Sequence, residues 1–319
     1  MDGRHPASPL AIWSALSIVY VVWGSTYLAI ALVVQTLPPL FSAGVRFVIA
    51  GLVVLAWVAA RRGVRVTRDQ LAGAALIGLL LLFGGNGFVS LAERTVPSGL
   101  TALIIASVPL WIVLLRRVAG DRVHPSTYAG VAVGFGGVAF LVIPRGSSGE
   151  TDPVGLAMLL VATTSWALGT FLAPRLRLPR DGLLSTALQQ LAGGLVLAFA
   201  GVVTGELVGI DPSSFSMASL AALAYLVVFG SLVAFTAYSW LLQHAPVSLV
   251  ATYAYVNPVV AVLLGAVLLA EPVTPNILVG AAIILAAVAF IVSREGARQR
   301  TSRAAARAAA SGADGTAAP

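Results

Sequence analysis

Residues 120–125 read Gly120-Asp121-Arg122-Val123-His124-Pro125, and residues 270–275 read Ala270-Glu271-Pro272-Val273-Thr274-Pro275, 150 positions later. At the same offset Gly130 meets Gly280, and Val138-Ala139-Phe140 meets Val288-Ala289-Phe290. Each half carries two prolines twelve residues apart, Pro97 with Pro109 and Pro246 with Pro258. Nearer the start, Thr26-Tyr27-Leu28-Ala29 returns as Thr170-Phe171-Leu172-Ala173. The offset stays between 144 and 150, so one unit has been duplicated. What the duplication means depends on how often each unit crosses a membrane.

Hydrophobic residues form 59% of the 319-residue chain and charged residues 10%, against about 25% charged in soluble domains. Apolar runs near 20 residues recur along almost the whole length, the signature of membrane-spanning helices. Surface helices of a large soluble protein would need polar faces, and these segments have none. The net charge of +7 sits in short loops and a tail, where it reports orientation rather than affinity for nucleic acid. All 19 basic residues are arginine, a composition that suggests a bacterial source and hence the cytoplasmic (inner) membrane. There is no cysteine, which excludes disulfides and thiolate metal sites. The first apolar run, 10–34, is too long for a signal-peptide core and reads as a retained helix.

The apolar runs predict helices at 10–34, 40–60, 71–91, 98–115 and 128–143, then at 155–173, 183–203, 217–242, 247–269 and 277–292. Helix breakers stand between them, among them Pro38-Pro39, Arg61-Arg62-Gly63, Asp211-Pro212 and Pro272 to Pro275. With the N-terminus inside, cytoplasmic segments hold Arg4, Arg61, Arg62, Arg65, Arg68, Arg116, Arg117, Arg122, Arg175, Arg177, Arg180 and five tail arginines, 16 in all. External loops hold only Arg94 and Arg145. Arginine bias in short loops sets topology, so the chain is expected N-in and C-in.

Five crossings per unit is an odd number, so the two units must enter the membrane from opposite sides. The expected fold is therefore all-α and polytopic, ten transmembrane helices as two inverted five-helix repeats. A cytoplasmic segment 1–9 leads into the first repeat, 10–143; an external linker, 144–154, joins it to the second, 155–293. The Arg/Ala-rich tail 294–319 reads as disordered and attracted to anionic headgroups. Inverted repeats recur in secondary transporters, with the substrate site near the midplane between them.

The motifs carry a family resemblance. Trp23-Gly24-Ser25-Thr26-Tyr27 with Leu37-Pro38-Pro39, the pair Arg46-Phe47, Ala92-Glu93 with Val96-Pro97-Ser98-Gly99, and Tyr253-Ala254-Tyr255-Val256-Asn257-Pro258-Val259 are its carriers. They resemble the first helix and turn, the second-helix Arg-Phe pair, the third-to-fourth hinge and the ninth helix of EamA-type ten-helix transporters. That family belongs to the drug/metabolite transporter superfamily. Gly84-Gly85-Asn86-Gly87 before Ala92-Glu93 is similar to its YedA-like exporter branch. The resemblance implies a membrane transporter and says little about substrate. One departure is Gly120-Asp121, where the family has Gly-Glu in its first half.

Arg46 is the only charge expected inside a helix, and a charge at helix centre costs roughly 2.5–3.5 kcal/mol on insertion scales. It lies about 9 Å from the external end at 1.5 Å per residue. One reading is snorkelling to the headgroups; the other faces a central cavity, binding an anionic substrate group or pairing with Glu93. Glu93, at the external end of helix three, is either an interfacial carboxylate or a coupling group. Neutral candidates for substrate contact are Trp23, Tyr27, Asn86, Trp166, Tyr238, Tyr255 and Asn257, with Gln190 standing where the second repeat matches Arg46. Pro109 and Pro258 are candidate gating hinges, because proline frees a carbonyl one turn earlier. The glycines of 84–87 lie in an apolar helix without a following lysine, so they suggest close helix approach or a kink, not a phosphate loop. Gly130, Gly134 and Gly280 are candidates for a packing or homodimer surface.

The function expected is alternating-access export of small metabolites, amino acids or related compounds, or drugs. Its partners are a small-molecule substrate and the lipid bilayer, without nucleic acid, cofactor or metal. A membrane enzyme would need a nucleophile, metal set or paired acids at membrane depth. His5, His124 and His244 all fall in loops or at helix ends, and no acidic pair lies in the helices, so no catalytic residue is assigned. A transport-inactive sensor or scaffold is the remaining alternative.

Overall fold

The computed structural model describes residues 8–121, 124–142, 152–245, 247–250 and 252–314. Arg4, His5, Arg122, Val123, Arg145 and Pro246, used above, lie outside them, as do most of the segment expected at 1–9 and of the linker expected at 144–154. The described residues are helices joined by short turns, without strands. In the first repeat these are α1 (Pro9–Val33), α2 (Pro39–Arg62), α3 (Arg68–Ala92), α4 (Ser98–Val118) and α5 (Pro125–Val142). In the second they are α6 (Pro153–Leu172), α7 (Gly182–Val203) and α8, which runs through Met217–Tyr225, Leu226–Val233 and Ala234–His244. They continue with α9 (Val247–Val250, then Tyr253–Leu268) and α10 (Pro275–Asp314). Eight of these rods are long and apolar enough to cross a membrane; Pro125–Leu141 and Tyr253–Leu268 are apolar but shorter.

Local chemistry starts the helices where the punctuation predicts. Ser8 accepts from the Ala11 amide ahead of Pro9, and Thr67 and Gln70 form a reciprocal capping box at the head of α3. Asp181 accepts from the Leu183 and Leu184 amides at the head of α7. Two starts differ: α2 and α4 follow Pro38 and Pro97, which offer no side-chain cap. Their orphan N–H groups are taken by carboxylates from the other repeat. Glu206 accepts from Leu40 (3.1 Å) and Phe41 (2.9 Å), and Glu271 from Ser98 (2.8 Å) and Gly99 (3.0 Å). Anions suit the positive end of a helix dipole, so these contacts tie the repeats together.

The duplicated unit is visible in conformation as well as in sequence. Gly120 has φ 85°, and its repeat-mate Ala270 is a non-glycine residue at positive φ, 54°. Each therefore turns the chain left-handed just before its acid, Asp121 or Glu271. Within α3, residues Leu79–Gly87 are π-helical, and within α8 so are Leu226–Val233, about one repeat offset later. Contacts echo each other too: α1 packs on α8 and α9, while α6 packs on α3 and α4; α2 pairs with α7, and α5 with α10. The α2–α7 seam is close enough that glycine is needed: a Cβ on Gly44 would lie 2.7 Å from Ala198 Cα.

Three expectations are sharpened or corrected. First, α10 does not end near residue 292 but continues to Asp314, because an Ala/Arg-rich sequence has high helix propensity; the disordered tail is not seen up to that point. Second, Gly130, Gly134 and Gly280 are consumed inside the chain, where added Cβ atoms would meet Phe290, Leu110 and Leu141 respectively. They serve α5–α10 and α4–α5 packing, the first of the two roles expected of them. Third, helix four is interrupted at Ala106-Ser107, just before Pro109, whereas Pro258 lies inside the unbroken stretch Tyr253–Leu268 of α9.

Candidate functional site

Between the repeats lies a cavity of about 340 Å³, at the small end of the range for ligand pockets. Residues from both repeats line it. Of the positions singled out in the sequence, Trp23, Tyr27, Arg46, Asn86, Pro109, Trp166, Tyr238, Asn257 and Pro258 are brought together on its wall. Gln190, Tyr255 and Glu93 are not.

Arg46 is 5% exposed, on α2. Its Nε donates to Ser231 Oγ at 2.8 Å, and its Cζ sits 4.6 Å from the Phe47 ring centroid. Burial at this depth fits the cavity-facing reading rather than snorkelling. The alternative partner, Glu93, is not bonded to it: both Glu93 oxygens are buried without a hydrogen-bond partner. Ser231 belongs to the π-helical stretch of α8, whose wider turn also presents the Ser231 carbonyl to Gln190 Nε2 at 3.2 Å. Gln190, 1% exposed, thus braces the residue that holds Arg46 instead of touching the cavity.

The rest of the wall is aromatic. The Trp23 ring packs against Phe235, Tyr238 and Tyr253 with centroids 5.3, 5.0 and 5.2 Å away, and Tyr238 and Tyr253 meet at 5.8 Å. Trp23 Nε1 donates to the Gly230 carbonyl at 3.4 Å. In its hydrogen-bonding orientation, the Asn257 amide donates to the carbonyls of Tyr253 (3.3 Å) and Tyr20 (3.2 Å), so it joins α9 to α1 as well as lining the cavity. Tyr255 is not part of this wall and packs against the buried cluster that contains Leu110, Val113 and Ile284. Phe235, Tyr253 and Ser231 were not among the sequence candidates. For Ser231 a signal existed: Phe83-Gly84-Gly85 recurs 146 residues on as Phe229-Gly230-Ser231.

Towards the end that carries the arginine-poor turns, the cavity adjoins, at Ile30, a buried apolar cluster drawn from both repeats. It includes Ile30, Val33, Leu37, Ala92, Val96 and Leu100 from the first and Leu156, Leu159 and Leu226 from the second. Glu93 sits beside this cluster, in the turn after α3, 6% exposed. Burial, and secondarily the nearby negative charge of Glu271, raises its carboxyl well above the usual carboxylate range. Ser98 Oγ and Thr101 Oγ1 are likewise buried without partners. At the opposite, arginine-rich end the repeats are tied by Arg62–Asp181 (2.6 Å), Arg177–Asp69 (2.9 Å) and Arg175–Asp121 (3.3 Å). Among the described residues no group of three or more histidine or acidic side chains could hold a metal ion.

This geometry agrees with what the chain is similar to. The EamA-like transporter family model matches residues 10–143 and 153–293, one match per repeat. The protein of Escherichia coli (strain K12) named "Uncharacterized inner membrane transporter YedA" is 40% identical over 257 residues, covering 80% of this chain and 82% of that one. The "Probable amino-acid metabolite efflux pump" of Salmonella typhimurium is 28% identical over 84% of this chain and 90% of its own length. A solved crystal structure superposes with a TM-score of 0.61 at 23% identity, over 92% of this chain and 99% of that one, which shows a shared fold. Two family matches that coincide with the two five-helix units, and a 40% identical relative spanning most of the chain, establish that this protein belongs to the EamA-like transporter family.

Proposed function

We propose that the chain is a secondary transporter of the bacterial inner membrane that exports small metabolites by alternating access. It crosses the membrane ten times, N-in and C-in, with its two repeats inverted. The observation that carries the reading is the single wall built from both repeats, with a buried, ligand-accessible cation at its rim. A cavity assembled from two repeats changes shape whenever one repeat rocks against the other. The arginine bias supports placing the end with the apolar cluster outside, where the cluster acts as a plug. The names of the relatives from E. coli, an inner membrane transporter, and S. typhimurium, a probable amino-acid metabolite efflux pump, support the location and the direction.

In this state the plug and the Glu206 and Glu271 contacts hold the outer face shut. Opening it requires releasing Ser98 and Gly99 from Glu271, with the interruption of α4 just before Pro109 as the hinge. Glu93, buried between plug and clasp, is placed to sense that movement. To test the function, metabolites in the medium of cells overproducing the chain are compared with those of cells carrying an empty vector and of cells producing Arg46→Ala at equal level. The expected result is a small set of compounds enriched only by the unaltered chain. Identical media would remove the export reading.

A further inference from the structure

Taking the cavity as the substrate site proposed above, we infer that its ligand is a monocarboxylate with an aromatic or branched apolar body and no free ammonium group, held by the terminal nitrogens of Arg46. Arg46 spends only its Nε on the protein, at Ser231. Among the described residues no carboxylate bonds it, and it borders the cavity. A buried guanidinium without a counter-ion is costly, and its two remaining nitrogens form the fork that suits a carboxylate. One unpaired positive charge matches one negative charge; a dianionic phosphate would bring a second charge that nothing on this wall neutralises.

The same wall is poor for an ammonium. Among the described residues no aspartate or glutamate lines the cavity. Trp23 packs against Phe235, Tyr238 and Tyr253 at 5.0–5.3 Å, and Trp166, the other tryptophan on the wall, offers an ammonium a ring without a carboxylate to balance its charge. A zwitterionic amino acid would therefore satisfy its carboxylate at Arg46 and strand its ammonium in an aromatic and aliphatic surround. The deaminated counterpart has no such penalty, and Trp166 and Ile112 on the wall offer its apolar body a surface to pack against.

Two matched pairs test this. The purified full-length chain is titrated, following tryptophan fluorescence, with 3-phenylpropionate against phenylalanine and with 4-methylpentanoate against leucine. At least one acid is expected to bind ten times or more tighter than its amino acid, with Arg46→Lys keeping the order and Arg46→Gln erasing it. Amino acids binding as tightly as the acids, or neither acid binding, or the preference surviving in Arg46→Gln, would overturn the assignment. The ordering in the unaltered chain decides the matter even where Arg46→Gln does not fold. Counterflow in proteoliposomes separates this claim from the transporter reading. Arg46-dependent acid binding without exchange leaves the ligand class and removes transport; exchange of phenylalanine but not 3-phenylpropionate does the reverse.

Discussion

Replacing Gly44 with alanine puts a methyl group into the seam between α2 and α7. The new Cβ would lie 2.7 Å from Ala198 Cα and closer still to the Ala198 amide nitrogen, where carbon contacts prefer about 3.5–4.0 Å. The obstacle is backbone, which cannot rotate aside, so the two helices must part by roughly 1 Å. Overpacking of this kind costs about 1–3 kcal/mol, and an unyielding neighbour places it near the upper figure. Allowing roughly 2 °C per kcal/mol for a chain of this size, melting in detergent should fall by about 4–6 °C. Arg46 is two residues away on α2, so its bond to Ser231 on α8 is strained in the same movement and ligand affinity should drop too. Gly136→Ala on α5 is the control: its Cβ meets nothing within 4 Å, and gaining alanine in a helix is worth roughly 0.5–1 kcal/mol. Equal melting temperatures for the two variants would refute the close-packed seam.

Four further outcomes follow from named contacts. Glu271→Gln weakens two charge-assisted bonds to the α4 amides, each worth about 1.5–3 kcal/mol; melting should fall and the plugged end should open, read as faster labelling of a cysteine placed at Leu100. Ala270→Gly relieves a left-handed alanine and should be neutral to stabilising by about 1 kcal/mol, whereas Gly120→Ala should destabilise; the opposite order would contradict the matched turns. Glu93 keeps its proton more tightly in the folded chain than in the unfolded one, so its contribution is intact at low pH and is lost as pH rises from the ordinary glutamate value near about 4.3 through the raised one. The melting advantage of Glu93→Gln over the unaltered chain should therefore grow with pH and then level off; an advantage independent of pH would show that Glu93 is not buried as a neutral acid. The chain has no cysteine, so an impermeant maleimide should label Ser213→Cys on intact spheroplasts and Arg65→Cys only after lysis; the reverse pattern would invert the topology.

The fold was legible because each of its determinants is local. Apolar runs mark the helices, proline and glycine mark the turns, and the 144–150 offset reveals the duplication without any contact being known. Nine of the named site residues reach one wall because polar and aromatic side chains in apolar helices have few other places to go. What escaped was non-local. Glu206 and Glu271 look like ordinary loop acids until they are seen capping helices from the other repeat. Gln190 occupies the position matching Arg46 yet turns onto Ser231, because a π-helical stretch offers it a carbonyl. The extended α10 shows the opposite limit: low complexity suggests disorder, but alanine and arginine still favour helix.

The central claim is that solutes cross the membrane through the cavity at Arg46. Proteoliposomes containing the full chain are loaded with an isotope-labelled bacterial metabolite extract and diluted into unlabelled extract, and the escaping compounds are identified by mass spectrometry. Protein-free vesicles and vesicles containing Arg46→Gln serve as the comparison. A discrete set of compounds leaving only the vesicles with the unaltered chain is the predicted result; the same loss from all three would contradict the account.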